Sequence, residues 1–442
     1  MSEPLSISAA AREAAASVAL IAGAQRFTFA EVAQLVAARA AQLADGPRSP
    51  FPLIGSNDVD TLVTLYALLE LRRPVLLLHP RLTAAERAQE VEATAQAAAH
   101  LPEDAAVILY TSGTTGRARG AVLTRSALLA SALASAANLG WQDDDRWLLA
   151  MPLARIGGLS IVTRCLAARR TVVLEPGFDA QHLPESIEAH RVTLLSLVPT
   201  MLALLLQAHP TWRAPPQLRA LLVGGAAAPP LLLAQAAARR LPIVVTYGCT
   251  ETCSQVVATA YAHRYESAAW TAGRPLPAAQ IRVDDGRILV RGPMLMSGYL
   301  GEPPLAPDAW FDTGDIGELD AGGALQVHAR RADLIVSGGE NVYPAEVEAA
   351  LESCPGIRTA AVFGIDDPVW GQVVAALLVT EPGAAGTVEL SLREHLAGRL
   401  APHKRPRRIA FVPTLPLTPA GKLDRAALPR LPARPAAADT VR

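Results

Sequence analysis

Between positions 110 and 120 the chain reads Tyr110-Thr111-Ser112-Gly113-Thr114-Thr115-Gly116-Arg117-Ala118-Arg119-Gly120, directly after the apolar, β-prone Ala106-Val107-Ile108-Leu109. A strand that ends in such a loop can aim backbone N–H groups at an anion, because Gly113 and Gly116 turn freely. Ser112, Thr114 and Thr115 add hydroxyl donors, and Arg117 and Arg119 add charge. The combination suits a triphosphate. A Walker-type loop would place a lysine in Gly-Lys-Ser/Thr at the mouth of a helix. Here Gly120 runs instead into the extended Ala121-Val122-Leu123. Plain surface turns also use short Gly/Ser/Thr runs, so the downstream sequence has to decide.

Only two of the 40 basic residues are lysines, Lys404 and Lys422. A chain that otherwise uses arginine keeps lysine where a compact, rotatable point charge serves better than a planar fork. Chance accounts equally well for Lys404. Lys422 stands out, set in Pro416-Leu417-Thr418-Pro419-Ala420-Gly421-Lys422-Leu423-Asp424-Arg425. Two acids also draw notice. Glu251, in Thr246-Tyr247-Gly248-Cys249-Thr250-Glu251-Thr252, suits a cation site or merely a helix's first turn. Asp315, in Trp310-Phe311-Asp312-Thr313-Gly314-Asp315, suits a hydroxyl acceptor or a turn aspartate.

The elements that would position these groups alternate between β-like runs and Ala/Leu-rich helical patterns, the signature of α/β layers. Helices are expected over 9–21, 29–43, 61–71 and 126–138, and strands over 74–78, 171–174, 194–197 and 243–246. The strands are continuous Val/Leu/Ile runs, as in a sheet covered on both faces. From 273 to 327 the pattern changes to short strands and turns, with a hairpin around Asp285-Gly286. A smaller α+β unit begins near 331, with a helix over 344–351, strands over 359–363 and 374–379, and a helix over 392–400. The expected division is a domain over 1–330, a second over 331–428 and a disordered Pro/Ala-rich tail over 429–442.

A chain of 442 residues can bury more than one core. With 40 basic and 41 acidic residues its net charge is −1, which favours neither nucleic acid nor an anionic membrane as partner. Its apolar runs, such as 202–206, are too short to span a bilayer. The first residues lack the basic-then-apolar pattern of a secretory signal. Four scattered cysteines suit a reducing cytoplasm, and Cys249 with Cys253 lacks the second ligand pair that zinc requires. Nothing in the composition points to an oligomeric state.

Five segments taken together resemble the adenylate-forming superfamily of acyl- and aryl-CoA ligases, adenylation domains and luciferases. They are the loop 110–120, the segments around Glu251 and Asp315, the stretch Arg330-Arg331-Ala332-Asp333-Leu334-Ile335-Val336-Ser337-Gly338-Gly339-Glu340-Asn341-Val342-Tyr343-Pro344, and the segment around Lys422. They stand in the family's order. The resemblance implies a large N-terminal domain of layered α/β sheets with a β-rich subdomain, and a small mobile C-terminal lid hinged near 331–333. The pivot, commonly acidic or Lys in the family, is Ala332 here. It also implies a reaction in which ATP converts a carboxylic acid into an acyl-adenylate that a thiol then attacks. Alignment and charge placement do most of the work in such chemistry. Lys422 would bridge carboxylate and α-phosphate, Thr250 would contact the α-phosphate, and Glu251 would hold Mg²⁺. Thr111, Ser112, Gly113, Thr114, Thr115, Gly116 and Arg119 would cradle ATP. Tyr247 would flank adenine, Gly224-Gly225-Ala226 would line the other side of the nucleotide or acyl pocket, and Asp315 with Arg330 would take the ribose. Gly338 and Gly339 would border a pantetheine channel, and free CoA is the expected acceptor because no carrier site follows the lid.

Pro152-Leu153-Ala154-Arg155-Ile156-Gly157-Gly158-Leu159-Ser160-Ile161-Val162-Thr163-Arg164, Ser196-Leu197-Val198-Pro199-Thr200-Met201 and Glu251-Thr252-Cys253-Ser254-Gln255 are most similar to the o-succinylbenzoate–CoA ligases of menaquinone biosynthesis. That resemblance places Arg155, Arg164, Thr200 and Gly224 at the acid, with Arg164 on its second carboxylate, a group a guanidinium fork fits. Arg164 serves equally as an ordinary salt-bridge residue. Ala154-Arg155 departs from the family's aromatic-His pair. Other aryl or medium-chain acids, and a catalytically silent nucleotide-binding homologue, stay open on the sequence alone.

Overall fold

The runs Thr171–Leu174, Leu194–Leu197 and Ala220–Val223 are buried at every position, as strands must be when helices cover both faces of their sheet. The computed structural model describes residues 3–46, 49–112, 118–225, 228, 230–266, 271–330, 335–342, 344–416, 428 and 434–435. In it these runs form the middle of a nine-stranded sheet. Its order is Arg274–Pro275, Ser254–Ala258, Ile243–Cys249, Ala220–Val223, Leu194–Leu197, Arg146–Leu149, Thr171–Leu174, Val18–Ala22 and Gln25–Thr28. Neighbours from Ile243–Cys249 to Val18–Ala22 are parallel, and the outer pairs are antiparallel.

A five-stranded sheet runs Gly298–Tyr299, Ala118–Thr124, Ala105–Ser112, Val75–Leu78, Phe51–Ile54. A four-stranded one holds Gln280–Asp284, Arg287–Arg291, Phe311–Leu319 and Leu325–Arg330, and its first pair turns at Asp285-Gly286 with positive φ at both residues. The chain falls into two compact units. The first comprises Met1–Pro80, Val91–Tyr110 and Gly120–Ala329. The second comprises Arg81–Glu90, Thr111–Arg119 and Arg330–Arg442. The second has its own core, in which Val347, Leu351, Val362, Val374, Leu392 and Leu396 pack between its sheet and the helices Pro344–Glu352 and Ala385–Ala397. The expected α/β class, with a large layered part, a β-rich part and a smaller α+β part, is what the chain forms.

One expected element is wrong. The Ala-rich stretch 9–21 reads as a helix, yet helix Ile7–Glu13, capped by the Ser6 hydroxyl accepting from the Ala9 N–H, ends at Ala14. Val18–Ala22 then enters the nine-stranded sheet, pairing Leu20 with Val172 and Ile21 with Val173. Alanine's helix propensity is worth only tenths of a kcal/mol per residue, and burying an apolar strand in the sheet outweighs it. The helix expected over 392–400 is Ala385–Ala397, and the strands expected over 359–363 and 374–379 extend to Ile357–Asp367 and Gly371–Thr380. Positions 331–334, including the pivot Ala332, lie outside the described residues. So does the expected tail except Arg434–Pro435, which pairs with Arg408–Phe411. Among the described residues no helix is long and apolar enough to cross a membrane.

Candidate functional site

Strands Ala220–Val223 and Ile243–Cys249 lie side by side and parallel, and the sequence-expected residues Gly224, Gly225, Tyr247, Thr250 and Glu251 follow or end them. The carboxyl ends of parallel strands are where open α/β sheets bind ligands. Gly224 is required there, because a Cβ would fall 2.2 Å from the Thr246 hydroxyl oxygen. Gly225 has φ +81°. The Tyr247 hydroxyl donates to Asp315 Oδ2 at 2.8 Å. Asp315 itself is only 4% exposed, and its backbone N–H donates to the Thr313 hydroxyl. Burial, and then the Asp315 charge, push the Tyr247 phenol well above its ordinary pKa, so it stays a neutral donor.

Beyond Cys249 the chain makes one 3₁₀ turn, Thr250–Thr252, and two non-glycine residues with positive φ follow: Cys253 at 49° and Ser254 at 97°. Such backbone costs about 1–3 kcal/mol per residue and persists only where its surroundings dictate it. Here they do. The Thr252 hydroxyl, in a fully buried residue, accepts from the Cys249 N–H at 2.9 Å and lies 2.7 Å from the Ser254 carbonyl. The Ser131 hydroxyl donates to the Cys253 carbonyl at 2.6 Å, the Met296 N–H to the Glu251 carbonyl at 2.7 Å, and the Tyr299 hydroxyl to Glu251 Oε1 at 2.8 Å. Desolvation, and then the nearby Glu251 charge, hold the half-buried Cys249 thiol well above its usual pKa, which disfavours the thiolate.

Arg164, on helix Ile156–Ala168, is 3% exposed, and its Nε and Nη2 atoms have no hydrogen-bond partner among the described residues. Its guanidinium lies 5.6 Å from the centroid of the buried Trp147 ring, whose indole N–H donates to the Ser196 hydroxyl at 3.0 Å. Burial lowers the Arg164 pKa to about 10, so the group is still charged at neutral pH. Arg155 sits at the N-cap of the same helix, and Thr200 occupies the first turn of helix Pro199–Ala208; both are half-buried. Asn57, which the sequence did not single out, clamps the approach to Arg155. Its side chain donates to the Met151 carbonyl at 3.0 Å and accepts from the Leu153 N–H at 3.0 Å.

In the second unit, Gly338 and Gly339 have φ of +60° and +79°, and a Cβ on Gly338 would come within 2.8 Å of the Trp370 ring. Trp370 carries Arg407 stacked at 4.1 Å. Lys404 is 8% exposed, with Nζ 2.6 Å from Glu346 and 3.6 Å from Glu86, which accounts for it as an ion-paired structural lysine. The Thr111 hydroxyl donates to the Arg119 carbonyl at 3.4 Å. Gly113, Thr114, Thr115, Gly116 and Lys422 lie outside the described residues, as do the side chains of Ser112 and Arg330.

The family model for AMP-binding enzymes matches residues 86–300, and that for the AMP-binding enzyme C-terminal domain matches residues 346–422. The 2-succinylbenzoate–CoA ligase of Bacillus licheniformis is 43% identical over 337 residues, 73% of this chain and 69% of the relative. The chain belongs to the AMP-binding enzyme family. Among solved members, a double mutant of o-succinylbenzoate CoA synthetase (MenE) from Bacillus subtilis, bound with its product analogue OSB-NCoA, has a TM-score of 0.89. It is 33% identical, and the match covers 98% of this chain and 99% of that one. The same enzyme in complex with ATP and magnesium ion is 33% identical with a TM-score of 0.67, over 96% of this chain and 98% of that one.

Proposed function

We propose that the chain converts o-succinylbenzoate, ATP and CoA into the CoA ester, AMP and pyrophosphate, as an acid–thiol ligase of the AMP-binding enzyme family. The observation that carries the choice of acid is Arg164. A buried, charged guanidinium with two nitrogens unpartnered is costly, and a dicarboxylic substrate would supply the missing anion while its other carboxylate reacts. In the first half-reaction that reacting oxygen attacks the α-phosphorus as the bond to pyrophosphate breaks. In the second, the CoA sulfur attacks the acyl carbon, AMP leaves, and the thiol proton goes to solvent.

The roles assigned to the chain's residues follow the sequence. The loop 111–119 binds the phosphates, Tyr247 and Gly225 flank the base, and Asp315 with Arg330 takes the ribose. Thr250 donates to the α-phosphate, and Lys422 bridges the reacting oxygens. Gly338 and Gly339 border the thiol's path. Among the described residues no group of three or more His, Cys, Asp or Glu could hold a metal ion. A cation bound through one carboxylate and substrate phosphates needs no such cluster, and Glu251 fits that demand. Bound Mg²⁺ would supply charge neutralisation on the phosphates. The four cysteines are free, which favours a cytoplasmic setting.

The test is direct. Purified protein given ATP, Mg²⁺, CoA and o-succinylbenzoate should release AMP and form the CoA ester. Turnover confined to simple benzoic or fatty acids would overturn the choice of substrate. Lys422→Ala should lose adenylate formation by orders of magnitude and still thioesterify supplied adenylate.

A further inference from the structure

We propose that Tyr299 is a positioning residue for the magnesium-binding carboxylate, acting through its hydrogen bond to Glu251; this rests on the reading of Glu251 given above. Glu251 lies on the strained turn before Cys253 and Ser254, and three groups from elsewhere in the chain hold that turn. Ser131 and Met296 grip backbone carbonyls, whereas Tyr299 grips the carboxylate itself, 2.8 Å from Oε1. An ionised carboxylate only accepts, so the phenol is the donor.

Tyr299 is well placed to aim that carboxylate. It belongs to strand Gly298–Tyr299, antiparallel to Ala118–Thr124, with Tyr299 opposite Ala121 and Gly298 opposite Val122. The Leu300 N–H donates to the Gly120 carbonyl at 2.7 Å, and the Ser297 N–H to the Val122 carbonyl at 2.9 Å. The phenol is therefore anchored to strand Ala118–Thr124 through its own short strand. Tyr299 also lines a cavity of about 120 Å³ with Ala97, His100, Leu101, Val122 and Glu302.

Outer-shell partners of a metal ligand are worth about 10–100-fold in metal affinity. Tyr299→Phe removes one atom from a half-buried ring beside a cavity, so it should fold with an unchanged circular dichroism spectrum. Binding of Mn²⁺ to the enzyme–ATP complex, followed by the loss of the free-ion EPR signal, should weaken about tenfold or more. The Mg²⁺ concentration giving half-maximal adenylate formation should rise in parallel, and saturating Mg²⁺ should restore the rate. Glu251→Gln is the control and should weaken Mn²⁺ binding further. If Glu251→Gln weakens it and Tyr299→Phe does not, the role of Tyr299 is overturned while that of Glu251 stands. If neither variant changes Mn²⁺ binding, the assignment of Glu251 falls and takes the proposal with it.

Discussion

Arg164 is charged, 3% exposed and left with two unpartnered nitrogens. A group like this lowers stability for the sake of binding, since each charge-assisted hydrogen bond it would make to a ligand carboxylate is worth about 1.5–3 kcal/mol. Arg164→Met keeps an unbranched apolar stem and removes the charge. The expected outcome is a ligand-free protein more stable by about 1–3 kcal/mol in urea unfolding, with kcat/KM for the dicarboxylic acid down about a hundredfold. Activity toward a monocarboxylic benzoate should be retained. A variant that is less stable and equally impaired with both acids would return Arg164 to a purely structural role. At this scale the sequence displays residues by their company: Tyr247, Glu251 and Asp315 stand in recognisable segments. Tyr299 lies 48 positions after Glu251 and Asn57 lies 96 before Leu153, so nothing local betrays those contacts.

Among elements, the turn after strand Ile243–Cys249 depends on a glycine that looks unremarkable in the sequence. A Cβ on Gly248 would lie 2.0 Å from the Ser254 carbonyl oxygen. The backbone would have to separate there, and overpacking of this kind costs about 1–3 kcal/mol. Gly248→Ala should therefore lower the urea midpoint and raise the KM for ATP more than the KM for CoA in steady-state assays. Equal effects on both would indicate a general loss of folded protein. Element type was legible where a run was both apolar and β-branched, as at Thr171–Leu174. It was not legible at Val18–Ala22, whose alanines imitate a helix and whose partners, Val172 and Val173, lie 152 positions away.

The whole molecule holds two units, each with its own core, and the α/β layering behind both could be read from alternating patterns. The strain at Cys253 and Ser254 was invisible to that kind of reading, because φ is imposed by Ser131, Gly248 and Thr252 and not by the two residues that adopt it. Glycine accepts φ near +97° without penalty. Ser254→Gly should accordingly raise the thermal midpoint of the ligand-free protein by a few degrees, even after glycine's added chain entropy, and scanning calorimetry would measure it. The gain has a counterpart, since a relaxed turn aims Glu251 less firmly. A breeder of heat-resistant variants who selects on survival alone would collect this substitution early, and would then find enzymes that tolerate the oven but ask for more magnesium at the bench.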